Sequence, residues 1–102
     1  MAFNNYTAAA VGTSPVTVVT VAGGQEIISI GLNAANVTAS QIEIDVQVAG
    51  VYLVKGAPIP AKSALGLLDG KIILAAGETC VVTSNTASSC DVIMSVLEQA
   101  VI

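Results

Sequence analysis

Acid–base, nucleophilic and metal chemistry draw on a short set of side chains, and this chain is poor in them. It has 102 residues, no histidine and no arginine, with three lysines, seven carboxylates and two cysteines. Histidine is the usual general base. Without it, a Ser–His or Cys–His nucleophile cannot be assembled. A carboxylate pair is the remaining option. Glu43 and Asp45 stand two apart in an alternating segment, so they share one strand face. Nothing around them supplies oxyanion donors or a third positioning group. The plainer reading is a solvated face, where acids normally lie. Two cysteines without histidine fall short of a zinc tetrahedron, and no loop carries the clustered acids that calcium needs. Ala22-Gly23-Gly24-Gln25 has the glycines of a phosphate loop but lacks its lysine and following helix, so it reads as a hairpin turn. The expectation is no catalytic residue, no metal site, no cofactor and no enzyme.

The surface chemistry points elsewhere. Charged residues make up 10% of the chain, against about 25% in ordinary domains. The exterior must therefore be built from Ser, Thr, Asn, Gln, Gly, Ala and Val. Such a surface costs little to desolvate and suits contact with other proteins. The net charge of −4 and three dispersed lysines, Lys55, Lys62 and Lys71, argue against a nucleic-acid partner. They argue equally against a polybasic membrane surface. No apolar run approaches the roughly 18 residues of a membrane span. Met1 to Tyr6 shows neither the cationic nor the apolar region of a secretory signal, so assembly in a cytoplasm is expected. Asn5-Tyr6-Thr7 and Asn36-Val37-Thr38 match the glycosylation pattern, and without a signal they read as chance.

The elements that must carry this surface are strands. In Gln41 to Ala49, Ile42, Ile44, Val46 and Val48 share one face, opposite Gln41, Glu43, Asp45 and Gln47. Glu26 to Leu32 is expected to place Ile28, Ile30 and Leu32 on one face and Ile27, Ser29 and Gly31 on the other. Cys90 to Glu98 aligns Cys90, Val92, Met94 and Val96. Val16 to Val21 slips at Val18-Val19, which predicts a bulge. Val51 to Lys55 is a short strand ending before Pro58 and Pro60, which suit an edge or a crossing. Asp69-Gly70 predicts a type I′ hairpin turn between Ser63–Leu68 and Lys71–Leu74. Asn33 to Ser40 reads as a connection between sheets. Regular turn signals cut the chain into about eight short strands, as in an all-β antiparallel sandwich, immunoglobulin-like or jelly-roll-like. The expected organisation is an extended N-terminal arm over 1–13 and a β-sandwich domain over 14–102. Phe3 and Tyr6 would anchor the arm on a neighbouring subunit, since aromatic anchors often carry interface energy.

Cys80 and Cys90 need a separate weighing. A last hairpin centred on Asn85 would set them opposite each other, close enough to bridge. The competing reading, favoured by a reducing cytoplasm, is a pair of small buried thiols. Two functional classes then compete: a particle subunit and a carbohydrate-binding sandwich module. Three aromatics, Phe3, Tyr6 and Tyr52, make a poor stacking platform for sugars.

A resemblance narrows the first class. It is carried by Ala9-Ala10-Val11-Gly12-Thr13-Ser14-Pro15-Val16-Thr17-Val18, Ile30-Gly31-Leu32-Asn33, Asn36-Val37-Thr38, Val51-Tyr52-Leu53-Val54-Lys55, Ala57-Pro58-Ile59-Pro60 and Leu74-Ala75-Ala76-Gly77-Glu78. The closing run Ala87-Ser88-Ser89-Cys90-Asp91-Val92-Ile93-Met94-Ser95-Val96-Leu97-Glu98 completes it. The chain resembles the short virion-associated proteins of tailed bacteriophages, including those of cyanobacteria. The resemblance implies a β-sandwich that decorates or cements the capsid. The major capsid protein would be the partner, and a homo-oligomer, a trimer before others, the expected state. A neck or tail accessory (collar, tube or baseplate) is the alternative it implies. Localisation would be the virion, assembled in the host cytoplasm.

Overall fold

β-branched residues alternating with polar ones fold this chain into strands from end to end. The computed structural model describes residues 2–68 and 70–101. Among them are nine strands and no helix: β1 (Ala2–Val11), β2 (Val16–Thr20), β3 (Gln25–Asn36), β4 (Ile42–Val48), β5 (Val51–Ile59), β6 (Ala64–Gly66), β7 (Ile72–Leu74), β8 (Thr79–Ser84) and β9 (Cys90–Ala100). They form two antiparallel sheets, so the chain is the antiparallel all-β sandwich that its alternation implies. One sheet runs β1-β9-β3, with β6 and β7 both on the far edge of β3. The other runs β2-β8-β4-β5. The core between them is aliphatic: Ile42, Ile44, Val46, Val82, Val92, Met94 and Val96 are all buried, and the one aromatic ring packed against them, Tyr6, is only partly buried.

Register explains where alternation holds and where it changes phase. β4 buries Ile42, Ile44 and Val46 and turns Glu43 outward, as its sequence dictates. In β2, Thr17 pairs with Val81 and Val19 with Cys80, so Val18 is the extra residue of a bulge. That is the slip legible at Val18-Val19, and both valines face inward. A second bulge in β3 was not legible. Pairing with β9 shifts between Ser29 and Gly31, so Ile27 and Ser29 are buried before it and Leu32, Ala34 and Asn36 after it. Ile28 and Ile30 therefore lie on the outer face, contrary to the expected shared face with Leu32.

Three further expectations change. β5 does not stop at Lys55 but continues through Gly56 and Pro58 to Ile59, as an edge strand beside β4. The described strands on either side of Asp69-Gly70 do not pair with each other as a hairpin would. β6 and β7 pair with different parts of β3, at Asn33–Ala35 and Ile27–Ser29, and run along it as one interrupted edge. Asp69 itself lies outside the described residues. Finally, residues 2–11 lie on β9 as an edge strand of the five-stranded sheet. Within the chain, then, residues 2–11 of the expected arm form a strand of the sandwich.

Among the described strands, one sequential pair forms a hairpin, β4–β5. Val48 pairs with Val51 and leaves Ala49-Gly50 as a two-residue turn, with φ of 53° and 79°. Positive φ at both central residues is the type I′ geometry, which matches strand twist. Alanine adopts it at a steric cost. Ala49→Asn, creating Asn-Gly, is expected to stabilise the fold by about 0.5–1 kcal/mol. Thermal unfolding followed by far-ultraviolet dichroism should show the midpoint rising by a few degrees; an unchanged or lower midpoint would contradict the turn assignment.

Where β3 leaves its sheet, a buried side chain replaces the lost ladder. Asn36 is 2% exposed. Its Nδ2 donates to the carbonyls of Ser40 at 2.8 Å, Ile59 at 2.9 Å and Pro60 at 3.2 Å. Its Oδ1 accepts from Thr38 N at 2.9 Å and Thr38 Oγ1 at 2.8 Å. An amide so enclosed is not a glycan acceptor, which agrees with reading Asn36-Val37-Thr38 as a chance match. Asn36→Asp keeps the shape but turns a carboxylate onto carbonyl oxygens. It should destabilise the fold by about 3 kcal/mol or more, measured by urea denaturation. A loss below about 1 kcal/mol, the net worth of one ordinary hydrogen bond, would remove this role.

Candidate interaction surface

The outer face of the five-stranded sheet carries the largest apolar side chains left outside the core. Register places them in a row. Phe3 of β1 is opposite Leu97 of β9, Leu97 is opposite Ile28 of β3, and Ile28 is opposite Ile73 of β7. Directly opposed residues lie about 4.5–5.5 Å apart at Cβ, so the four form one stripe across four strands. Its ends are the most open, with Phe3 76% and Ile73 66% exposed. Ile30, turned outward by the β3 bulge, adjoins the stripe, and Ile93 lies further along β9 beyond Ser95; both are about half exposed. Beside it, Phe3, Asn5, Ile30 and Ser95 line a shallow depression, and Ser95 Oγ donates to Asn5 Oδ1 at 2.8 Å.

The two aromatic residues expected as anchors do not act together. They stand three apart on one strand, so they face opposite sides. Phe3 belongs to the outer stripe. Tyr6, opposite Met94, turns to the inner side, where its hydroxyl donates to Glu98 Oε1. Asn4 Nδ2 donates to the same oxygen at 2.8 Å. The hydrogen bond to Glu98, then burial and the carboxylate charge, push the Tyr6 phenol above its usual range. The residues that sequence reasoning missed are Ile28, Ile30, Leu97 and Ile73. The signal that could have found them is the unbroken apolar run Ile27-Ile28 followed by Ile30, which one face cannot hold.

The edges of the sheets differ sharply. Exposed edges invite further pairing, and proteins blunt them with bulges, prolines, charges or short strands. β2 is five residues long and bulged. β5 carries Lys55, Pro58, two register shifts and Gly56 at φ +67°. The β6–β7 edge is interrupted. β1 has none of these over Ala2 to Ala8: it pairs regularly with β9 and has no charged residue, proline or glycine. Its irregularity comes only afterwards, where Ala10 takes φ 54° and donates its N–H to Asp91 Oδ1 at 2.8 Å.

The outer face of the four-stranded sheet is polar. Glu43 and Asp45 do share it, but Asp45 is occupied. It accepts from Gly56 N at 2.7 Å and pairs with Lys55 at 3.7 Å, whose ammonium sits 4.6 Å above the Tyr52 ring. This is a strut for the β5 bend. Among the described residues no group of three or more His, Cys, Asp or Glu could hold a metal ion.

The hairpin that would oppose Cys80 and Cys90 does not exist. β8 and β9 belong to different sheets, because residues 85–89 cross the sandwich. Cys90 begins β9 at the crossing, whereas Cys80 lies four residues before the end of β8. At about 3.3 Å per residue that is roughly 13 Å along the strand, beyond disulfide reach. Both are free, buried thiols, and burial pushes each up to about 11, with Asp91 adding to the effect at Cys90. The crossing is held by Ser84 and Ser89, whose hydroxyls lie 2.6 Å apart, and by Ser84 N donating to Gly12 O at 2.9 Å. Gly12 passes so close that a Cβ there would lie 3.1 Å from Ser88 N.

No protein family matches the chain, and neither does any curated protein or solved structure.

The thiols give a pH test. Raised pKa values in the fold favour the neutral form, so their contribution is complete below the unfolded thiol pKa. It is lost as pH rises from about 9 through about 11. Stability should therefore fall over that interval, and fall less in the Cys80→Ala, Cys90→Ala double variant. Equal slopes in urea titrations of the two proteins would refute the assignment. Alkylation should label both cysteines only after denaturation, without reductant.

Proposed function

We propose that this chain is a non-enzymatic structural protein of a bacteriophage particle that decorates or cements the capsid through protein–protein contacts. The observation that carries the reading is the apolar stripe Phe3–Leu97–Ile28–Ile73 across an exposed sheet face, on a chain whose charged residues number ten. Patches of this kind mark contact sites, and a sparsely charged surface is cheap to desolvate over the many identical contacts of a lattice. The whole-chain resemblance to short virion-associated proteins supports the particle as the setting. The major capsid protein is the partner proposed, with a neck or tail site as the alternative within the same particle.

Copy number separates the two positions. Quantitative gels of purified particles should give hundreds of copies for a capsid site and a dozen or so for a neck or baseplate. Phe3→Ser with Ile73→Ser removes the ends of the stripe without touching the core. This variant should keep its far-ultraviolet spectrum and lose at least about tenfold in particle incorporation, the loss of two apolar contacts of roughly 1 kcal/mol each. Full incorporation of a folded double variant would overturn the reading.

A further inference from the structure

We infer that β1 is a docking edge for a second copy of this chain, pairing antiparallel with the partner copy's β1 about a two-fold axis at Asn5. The inference rests on the assembly reading above and names its first partner.

The contrast between edges is the starting point. Three edges carry devices that oppose pairing, and β1 over Ala2–Ala8 carries none. Its outward N–H and C=O groups are therefore a template for a strand. The occupant follows from charge and symmetry. The chain carries −4 overall, which opposes self-association, yet this strand is neutral. The nearest acids lie on the neighbouring strand β9: Glu98, opposite Ala2, and Asp91, which accepts from Ala10 N beyond the regular stretch. Across a β1–β1 junction two such acids would be at least three strand spacings apart, about 14 Å, beyond the Debye length of about 8 Å at physiological salt. A neutral edge also offers no charge pattern to select a different chain.

Register follows from the regular stretch. Residues 2–8 pair evenly before the irregularity between Ala8 and Val11, and their midpoint is Asn5. With Asn5 on the axis, Phe3 faces Thr7 of the second copy, Ala2 faces Ala8, and Asn4 faces Tyr6. Asn5 meets itself, and an amide is self-complementary. Its Oδ1 takes one hydrogen bond from Ser95, which leaves an acceptor site for the mate's Nδ2–H. The axis stands normal to the sheet. Two five-stranded sheets then become one, with both apolar stripes on the same face, directed to the same lattice.

Seven residues a side is well below the 20–30 of a standard interface. The dimer is accordingly weak and concentration-dependent, with a dissociation constant on the order of micromolar or above. Pairing of like edges also closes at two copies, whereas a trimer would need two different edges.

The test uses the full chain in solution. Sedimentation equilibrium from about 10 to 500 μM, spanning the weak range, should show a monomer–dimer equilibrium. Asn5→Lys should abolish it while leaving the far-ultraviolet spectrum unchanged. Under mild oxidation Asn5→Cys should form a covalent dimer about tenfold faster than the exposed control Thr20→Cys, because the axis holds the two sulfurs together. Phe3→Cys and Thr7→Cys should cross-link when mixed, but neither with itself. A monomer at every concentration, a trimer, or a dimer in which Asn5→Cys links no faster than the control would each overturn the inference. A monomer that still enters particles would do so while leaving the capsid reading intact.

Discussion

One buried side chain holds together the end of the sandwich at which its long strands change sheets. A chain that crosses between sheets must leave the hydrogen-bonded ladder while still surrounded by protein, and the polar backbone groups there need partners. Asn36 supplies them for three carbonyls and one N–H. It thereby fixes the end of β3, the turn into β4 and the end of β5 at one point. Ser84 and Ser89 do the same for the β8–β9 crossing beside it, with Gly12 admitted because it has no side chain. The aliphatic core supplies most of the burial. These few polar groups decide which strand lies in which sheet.

Much of the fold was legible where one residue's side chain decides one face. Ile42, Ile44 and Val46 against Glu43 and Asp45 left no doubt of a half-buried strand, and Val18-Val19 gave away its bulge. The bulge at Ile30 was not legible, because isoleucine is equally at home on either face and the phase change is set by pairing with β9. The Asp69-Gly70 hairpin and the Cys80–Cys90 pairing failed for a shared reason. Sequence shows where a chain turns, but not whether the next strand pairs back on the last: β7 continues along the β3 edge that β6 occupies, and β9 joins the sheet opposite β8. In a sandwich built mostly of crossings, the local hairpin is the wrong default.

The candidate surface was only half legible. Scarce charge could be read directly, and it moved attention from chemistry to contact area. Phe3 stood out as an aromatic residue near the start of the chain. Its place in a stripe with Leu97, Ile28 and Ile73 depends on three inter-strand registers that no local pattern encodes. Tyr6, which looked equivalent to Phe3, is turned the other way by strand parity and is held by Glu98. The five-stranded sheet thus has an apolar stripe on its outer face ending at an unguarded edge, while the four-stranded sheet has a mostly polar face and guarded edges. The two sides of the molecule are suited to different neighbours.

The aliphatic interior has a consequence for how this protein can be observed. None of the three aromatic rings is fully buried: Phe3 and Tyr52 are open to solvent, and Tyr6 is half-buried, packed against the margin of the core and bonded to Glu98. Near-ultraviolet dichroism and tyrosine emission therefore report on the surface and on the β1 margin where Tyr6 packs, and not on the middle of the core. The middle of the interior could loosen with little change in those signals, and a partner settling on β1 could change them while the interior stays rigid. For this molecule, the usual optical signature of a melted core would mix the state of the β1 margin with contact at its edge.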